Sequence, residues 1–499
     1  RWRGGARLSG AGGGNMMASG IDPTGARLLP LWQGAAVARA TAANGPTDWA
    51  ADGLSLDSRA VAPGDLFIAL SGPNHDGHDY VETAFKAGAA AALVRADYPA
   101  TGASGPLLRV ADTMAALVAL GQAARTRTRA KIIAVTGSVG KTGVKEALRL
   151  CLSRQAPTHA SVKSFNNDIG VPLTLARMPE QTVYGVFELG MNHTGEIARL
   201  TDMVKPDVAI ITTVASAHRE FFDSEEGIAD AKAEIFLGMP PAGVAILNRD
   251  NRHYERLLAA ARRSGIERVI SFAIDQDADV RAIDMALHQD LSAVAADLGD
   301  TRLFFKIGMP GRHWVANALA VLAAVRAADA DLNQAMQALA EMSPLPGRGA
   351  RLQIHAKGGA ATVIDDSYNA NPESVRAALA LLAAATPMGS GRRIAALGDM
   401  MELGNEAPAM HAALAEPIIA AKTDLVIAIG PLMQHLEQAL NAHGTRCLLA
   451  TDAAAAQAML AQRLRAGDVL LVKGSNASGV QRIVAALEQA KPLRSGRQD

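Results

Sequence analysis

Residues 131–148 read KIIAVTGSVGKTGVKEAL, and this stretch decides the fold of the middle of the chain. Four of its first five residues are apolar, a strand-length run that ends at Thr136 in a glycine-bounded turn. Lys141 and Thr142 follow, and then a helical pattern begins. A strand, a glycine turn and a helix in that order form a phosphate cradle. Gly137 and Gly140 allow positive φ and close approach of the backbone to an anion. The helix start presents free N–H groups and the positive end of its dipole. Lys141 can reach outer phosphates, and the Thr142 hydroxyl can ligate Mg²⁺. Ser138 and Gly143 complete the candidate phosphate-binding set. The general pattern GxxxxGK[ST] is not fully met, because Val135 occupies its first glycine position.

Composition limits what surrounds this turn. At 499 residues the chain has room for about three domains. Apolar residues make up 49% and aromatic residues 4%, so the cores are expected to be mainly Ala, Leu, Val and Ile. Lys+Arg and Asp+Glu are 49 each, which argues against nucleic-acid or membrane-surface binding through a global basic field. Cys151 and Cys447, one in a helical and one in a strand-like setting, read as buried thiols rather than a disulfide scaffold or metal cluster. No apolar run reaches the ~18 residues of a membrane helix, and no secretory signal is visible. A cytoplasmic monomer, without membrane insertion, is expected. The opening RWRGGARLSGAGGGNMMASG lacks an initiator Met and is rich in Gly and Arg. Residues 1–24 are expected to be disordered, or an over-extension with the start near Met16 or Met17.

Two breaks divide the remainder. RTRTRAK (125–131) is charged, lacks apolar periodicity and reads as a linker; SPLPGRGAR (343–351) is rich in Pro and Gly. The expected domains are therefore 25–127, 128–343 and 344–499. In the second, the runs IIAV, VYGVFE, VAIITTV and VAILN alternate with helical patterns. In the third, ATVID, RIAAL, LVIAI, CLLA and DVLLV do the same between Ala-rich helices. Such alternation predicts mainly parallel sheets with crossover helices, the third domain being a smaller doubly wound one.

Three further residues stand out. Glu188, in VFELGMNHTGEI, ends an apolar strand, where an open α/β sheet places ligand groups; a strand-terminal Glu facing solvent is the alternative. His218, in ITTVASAHREFF, follows another strand, and a structural role competes with a ligand role. Lys232, in DAKAEIF, taken alone is part of a solvated helix face.

Together these segments resemble the Mur ligases, ATP-dependent enzymes that build the peptide of bacterial peptidoglycan. The similarity covers nearly all of residues 45–490. It is carried by LDSRAVAPGDLFIALSGPNHDGHDY, SFNNDIGVPLTL, ELGMNHTGEI, AKAEIF, GRHWVANALA, IDDSYNANPESV, ALGDMMELG and VKGSNASG. SFNN and DDSYNANP point to the member that joins D-alanyl-D-alanine to a UDP-N-acetylmuramoyl tripeptide. The resemblance implies an α/β fold of three domains. These are a small N-terminal domain for the uridine diphosphate end, a central P-loop ATPase domain with a mainly parallel sheet, and a C-terminal Rossmann-like domain carrying part of the nucleotide site and the dipeptide contacts.

Residue roles follow by position. Lys141 and Thr142 match the phosphate and Mg²⁺ residues. Glu188 and His218 match the groups that hold a second Mg²⁺ between the γ-phosphate and the substrate carboxylate, and Lys232 matches a carbamylated lysine. Asn317 matches the adenine contact, and Asp366 the ribose contact, with Tyr368 and Asn369 nearby. Arg348 and Arg351 compete for one phosphate-facing arginine. Asn166, Asn167 and Lys473 are implied substrate contacts. Asp57, Ser58 and Arg59 are candidates for the uridine end, or a structural turn. Two departures stand out: Gly143 replaces a hydroxyl residue common after GKT, and HREFF has Phe where relatives often have Gly. The rivals are a sister amide ligase such as folylpoly-γ-glutamate synthase or an earlier Mur enzyme, a P-loop switch or motor, and a non-enzymatic nucleotide-binding module.

Overall fold

The computed structural model describes residues 29–99, 103–162, 164–216 and 220–489. The expectations for residues 1–24 and for His218 lie outside them. Among the described residues the fold is mixed α/β, built on mainly parallel sheets. By packing, the chain forms two compact units.

The first unit holds the described residues up to Thr128 together with Pro172–Glu180. Its centre is a four-stranded parallel sheet in sequence order: Gly53–Ser55, Asp65–Ile68, Ala91–Arg95 and Leu107–Val110. Leu66, Phe67, Ile68 and the run from Ala91 to Val94 are buried, as strands covered on both faces must be. The helix Thr113–Arg127 is capped by Asp112, whose carboxylate accepts from the Met114 and Ala115 N–H groups. It extends into the stretch expected to be a linker. Arg125 and Arg127 form its last turn, where cations meet the negative end of the helix dipole. The Arg127 guanidinium lies 4.0 Å from the Trp32 ring centroid and donates to Leu31 and Met178 carbonyls. Trp32 Nε1 in turn donates to the Ala176 carbonyl at 2.8 Å.

Among its described residues the second unit contains two sheets. The larger has nine strands. Strands Thr158–Ala160, Tyr184–Glu188, Lys131–Thr136, Val208–Ile211, Val244–Asn248, Arg268–Ala273 and Val280–Leu287 pair in parallel in that spatial order. Ser292–Asp297 and Arg302–Ile307 then add an antiparallel edge. The helix Arg312–Ala327 lies in the core beneath this sheet, with every residue from Ala318 to Val325 buried. Its alanines let it approach the sheet closely, which is how a core poor in aromatics reaches native density. The smaller sheet has six strands in the order Ala350–Ala356, Gly359–Asp365, Val469–Lys473, Arg393–Gly398, Leu425–Ile429 and Cys447–Ala450. Only its first pair is antiparallel.

Cys151 and Cys447 are free and buried. Among the described residues no helix is long and apolar enough to cross a membrane. Leu319, fully buried in the middle of the central helix, tests the packing. Leu319→Ala should cost about 2–5 kcal/mol, read as a lower denaturant midpoint of the unit that contains it.

Candidate active site

The C-terminal ends of strands from both sheets of the second unit open on one cavity of about 890 Å³, within the range of small-molecule sites. The phosphate turn forms part of its wall. Gly137 has φ 150° and Gly140 has φ 89°. A Cβ on Gly137 would lie 1.9 Å from Thr212 Oγ1, so this glycine is required by space as well as by backbone conformation. Gly140 caps the helix Lys141–Ser153 with no side chain bonded to the helix start. Those N–H groups are left to an anion. Ser138 braces the turn, its N–H donating to Thr213 O at 2.8 Å and its hydroxyl donating to Ala215 O at 3.0 Å. Val135 lies inside the strand, paired with Ile210 and Glu188, so the departure from the general pattern falls where extended backbone needs no glycine.

Lys141, Thr142 and Glu188 line this cavity. Lys141 Nζ donates to Gly137 O at 2.6 Å. Burial lowers its pKa from the usual lysine value; the Glu188 carboxylate works against that shift and the Arg348 charge adds to it. Glu188 is 1% exposed. Its Oε1 accepts from Asn166 Nδ2 at 2.8 Å, while Oε2 is buried with no hydrogen-bond partner. Since a carboxylate only accepts, the Asn166 amide nitrogen must face it. Lys232 is 1% exposed, on the helix Glu225–Ala233 rather than on its solvated face. Burial first, and then the Lys141 charge, hold its pKa well below the lysine value. It does not line the cavity.

The far wall comes from residues beyond the 343–351 break. Asp366 Oδ2 accepts from Lys473 Nζ at 2.7 Å, and the same ammonium donates to Asn369 O at 2.8 Å. Burial raises the Asp366 pKa, with Lys473 opposing. The Arg348 guanidinium lies 4.1 Å from the Tyr368 ring centroid, and the Tyr368 hydroxyl donates to Ser164 Oγ at 3.0 Å. SFNN and DDSYNANP, far apart in sequence, thus touch at the cavity rim. Asn317 also lines the cavity, and a Cβ on Gly140 would lie 2.9 Å from its Oδ1.

Two candidates of the second unit, Arg351 and Asn167, do not line the cavity. Arg351 sits on the strand Ala350–Ala356 with its Nε 3.9 Å from Asp290, and does not line the cavity. Asn167 Oδ1 accepts the Gly170 N–H at 2.9 Å, which commits it to the start of the helix Gly170–Ala176. In the first unit Asp57 and Arg59 hold each other through two side-chain hydrogen bonds, at 2.9 and 2.8 Å. Those bonds pull the Asp57 pKa down to about 2. Ser58 between them is buried. The turn reading accounts for these contacts. Among the described residues no group of three or more His, Cys, Asp and Glu forms a metal cluster.

Sequence reasoning missed many of the cavity's lining residues, Ser164, His313 and Trp314 among them. GRHWVANALA was noted, but only Asn317 was taken from it. His313 and Trp314 precede Asn317 by four and three positions, the spacing of one helix face, and that signal was available. Burial, followed by the Lys473 charge, lowers the His313 pKa to about 4. An unfolded histidine takes up its proton as pH falls through about 6.5, while the folded one resists until about 4. This group therefore weakens folding as pH falls across that window and has no effect above it. The loss should be roughly 1–3 kcal/mol, allowing for partial exposure. His313→Gln should remove that share of the difference between urea midpoints at pH 7 and pH 4.5.

Comparison with known proteins gives one family. Residues 135–325 match the Mur ligase middle domain, residues 350–476 the Mur ligase glutamate ligase domain, and residues 51–140 the Mur ligase family catalytic domain. The UDP-N-acetylmuramoyl-tripeptide–D-alanyl-D-alanine ligase of Escherichia coli (strain K12) is 34% identical over 88% of this chain and 94% of its own length. The ligase of that name from Mycobacterium tuberculosis (strain ATCC 25618 / H37Rv) is 34% identical over 87% and 91%. A crystal structure of MurF from Acinetobacter baumannii superposes with a TM-score of 0.79, at 29% identity, over 92% of this chain and 99% of that one. MurF ligase from Thermotoga maritima in complex with ADP gives 0.72, at 26% identity, over 87% and 97%. With matches along nearly its whole length, the chain belongs to the Mur ligase family.

Proposed function

We infer that the protein is an ATP-dependent amide ligase that joins D-alanyl-D-alanine to a UDP-N-acetylmuramoyl tripeptide, releasing ADP and phosphate, in peptidoglycan precursor synthesis in the cytoplasm. Relatives of that name match over most of both chains. The observation that carries the reading in the site is the Tyr368–Ser164 contact, which brings the two segments typical of this member to one cavity with the phosphate turn. Residues 25–127 would hold the uridine end, 128–343 the ATP and 344–499 the lid and dipeptide contacts.

The chemistry requires this convergence. A carboxylate does not acylate an amine at neutral pH, because its leaving group is oxide. Transfer of the γ-phosphoryl group makes an acyl phosphate and ADP. The dipeptide amine then attacks its carbonyl, and the tetrahedral intermediate expels phosphate. Lys141 and the free N–H groups of its helix hold phosphate charge, and Arg348, which faces the cavity where Arg351 does not, adds to the same field. Asn317 and Asp366 orient the base and ribose. Asn166 fixes the Glu188 carboxylate. The unpartnered, buried Glu188 Oε2 and the Thr142 hydroxyl are hard oxygen donors that fit Mg²⁺. Bound there, Mg²⁺ supplies neutralising charge where two anions meet. His218 belongs to the same proposed set and lies outside the described residues.

Turnover should require both acceptor and donor: ADP should accumulate with ATP, Mg²⁺, the UDP-muramoyl tripeptide and D-alanyl-D-alanine together. Rapid ADP release from ATP and D-alanyl-D-alanine alone would count against the assignment. Lys141→Ala should lower the rate on the order of 10³-fold, several kcal/mol of transition-state stabilisation.

Lys232 is proposed to be carbamylated. Burial and the neighbouring Lys141 both disfavour its ammonium form, and a neutral amine attacks CO₂. A nitrogen–carbon bond forms, a proton leaves to solvent, and the side chain becomes an anion that attracts Lys141. Enzyme equilibrated with ¹³C-bicarbonate should show a carbamate carbon resonance that Lys232→Ala lacks. That variant should lose most activity and regain part with a short added carboxylate. Full activity in Lys232→Ala would contradict the idea.

A further inference from the structure

The sequence departure at Gly143 has a structural counterpart across the cavity wall. Gly143 sits in the first turn of the helix Lys141–Ser153 with no positive φ, so backbone conformation does not require glycine there. Space does. A Cβ at this position would lie 2.9 Å from Trp314 Cη2 and 3.4 Å from Cζ3. The indole thus occupies the volume that a side chain at position 143 would fill. It cannot swing away freely, because Trp314 lies on the helix Arg312–Ala327 and packs against the buried core. The same Cβ would lie 3.5 Å from Asn317 Nδ2, so indole, phosphate-loop helix and the proposed adenine contact form one corner. Trp314 and Gly143 both line the cavity with Lys141 and Thr142.

We propose that Trp314 is a nucleotide-binding residue of this chain, matched to Gly143: its indole walls the nucleoside part of a purine nucleotide and takes over from the side chain missing at position 143. The proposal rests on the ATP reading of the phosphate turn. A hydroxyl at position 143 would serve the phosphate end through a hydrogen bond. An indole instead offers an apolar, π-rich surface to base and sugar. The exchange moves binding strength from the phosphates toward the nucleoside, so probes that differ only in the nucleoside separate the two.

The test compares ADP with inorganic pyrophosphate by calorimetry on the full chain. Trp314→Ala should weaken ADP about tenfold and leave pyrophosphate unchanged, and Trp314→Phe should recover most of the ADP affinity. ADP should also quench a component of tryptophan fluorescence that Trp314→Phe lacks. Gly143→Thr should weaken ADP strongly beside the native indole and only slightly in the Trp314→Ala background, because truncation makes room for the threonine. Unchanged ADP affinity in Trp314→Ala would overturn the proposal. Equal weakening of ADP and pyrophosphate would also overturn it, assigning the indole to support of the loop. Wild-type protein that binds neither probe would overturn the nucleotide reading on which the proposal rests.

Discussion

Lys141 and Lys232 repel each other, and of the two only Lys141 has its charge favoured by Glu188. Much of the surrounding arrangement follows from that asymmetry. Lys141 keeps a carboxylate nearby, which opposes the lowering of its pKa by burial, and a carbonyl of its own turn within hydrogen-bonding distance. Lys232 has burial and a like charge against it, and both lower its pKa. A surface lysine would stay an ammonium and would not attack CO₂ at neutral pH. Removing both lysines from water makes their chemistry differ although their side chains are the same.

The fold was legible wherever strands were apolar throughout. IIAV, VAILN, LVIAI and DVLLV are buried on both faces and lie in parallel pairs. The antiparallel edge of the large sheet was not legible by that signal. Its strands Ser292–Asp297 and Arg302–Ile307 alternate buried and less buried residues, a period of two with weak hydrophobic contrast. Arg127 was obscured by its charge: a basic helix end looks like a linker until its guanidinium is seen over Trp32.

The site divides similarly. Motif position picked out Lys141, Thr142, Glu188, Asn317 and Asp366, all of which line the cavity. It could not separate Asn166 from Asn167. Adjacent residues of one type face different partners, Glu188 in one case and the Gly170 N–H in the other. Nor could it weigh Arg348 against Arg351, because strand pairing decides which leaves the sheet. Arg351 pairs with Ile364 inside the strand Ala350–Ala356, whereas Arg348 precedes that strand.

Asp365 and Asp366 show how the remaining half of the site is built. Asp365 Oδ2 accepts the Gly347 N–H at 2.8 Å, and its Oδ1 accepts the Ser367 hydroxyl at 2.5 Å. Gly347 and Gly349, at φ 73° and 85°, bracket Arg348, and the Gly349 N–H donates to Asp365 O at 2.7 Å. One buried carboxylate therefore fixes the turn that aims Arg348 and the segment that aims Asp366 and Tyr368. Asp366, one residue on, is left to pair with Lys473 and face the cavity. Lys473 ends the strand next to the one carrying Asp365. This wall of the cavity is consequently set by main-chain register: Arg348 and Asp366 are placed by the six-stranded sheet, and Lys141 and Glu188 opposite them by the nine-stranded one. The glycines flanking Arg348 lie where the wall built on the six-stranded sheet meets the rest of the cavity.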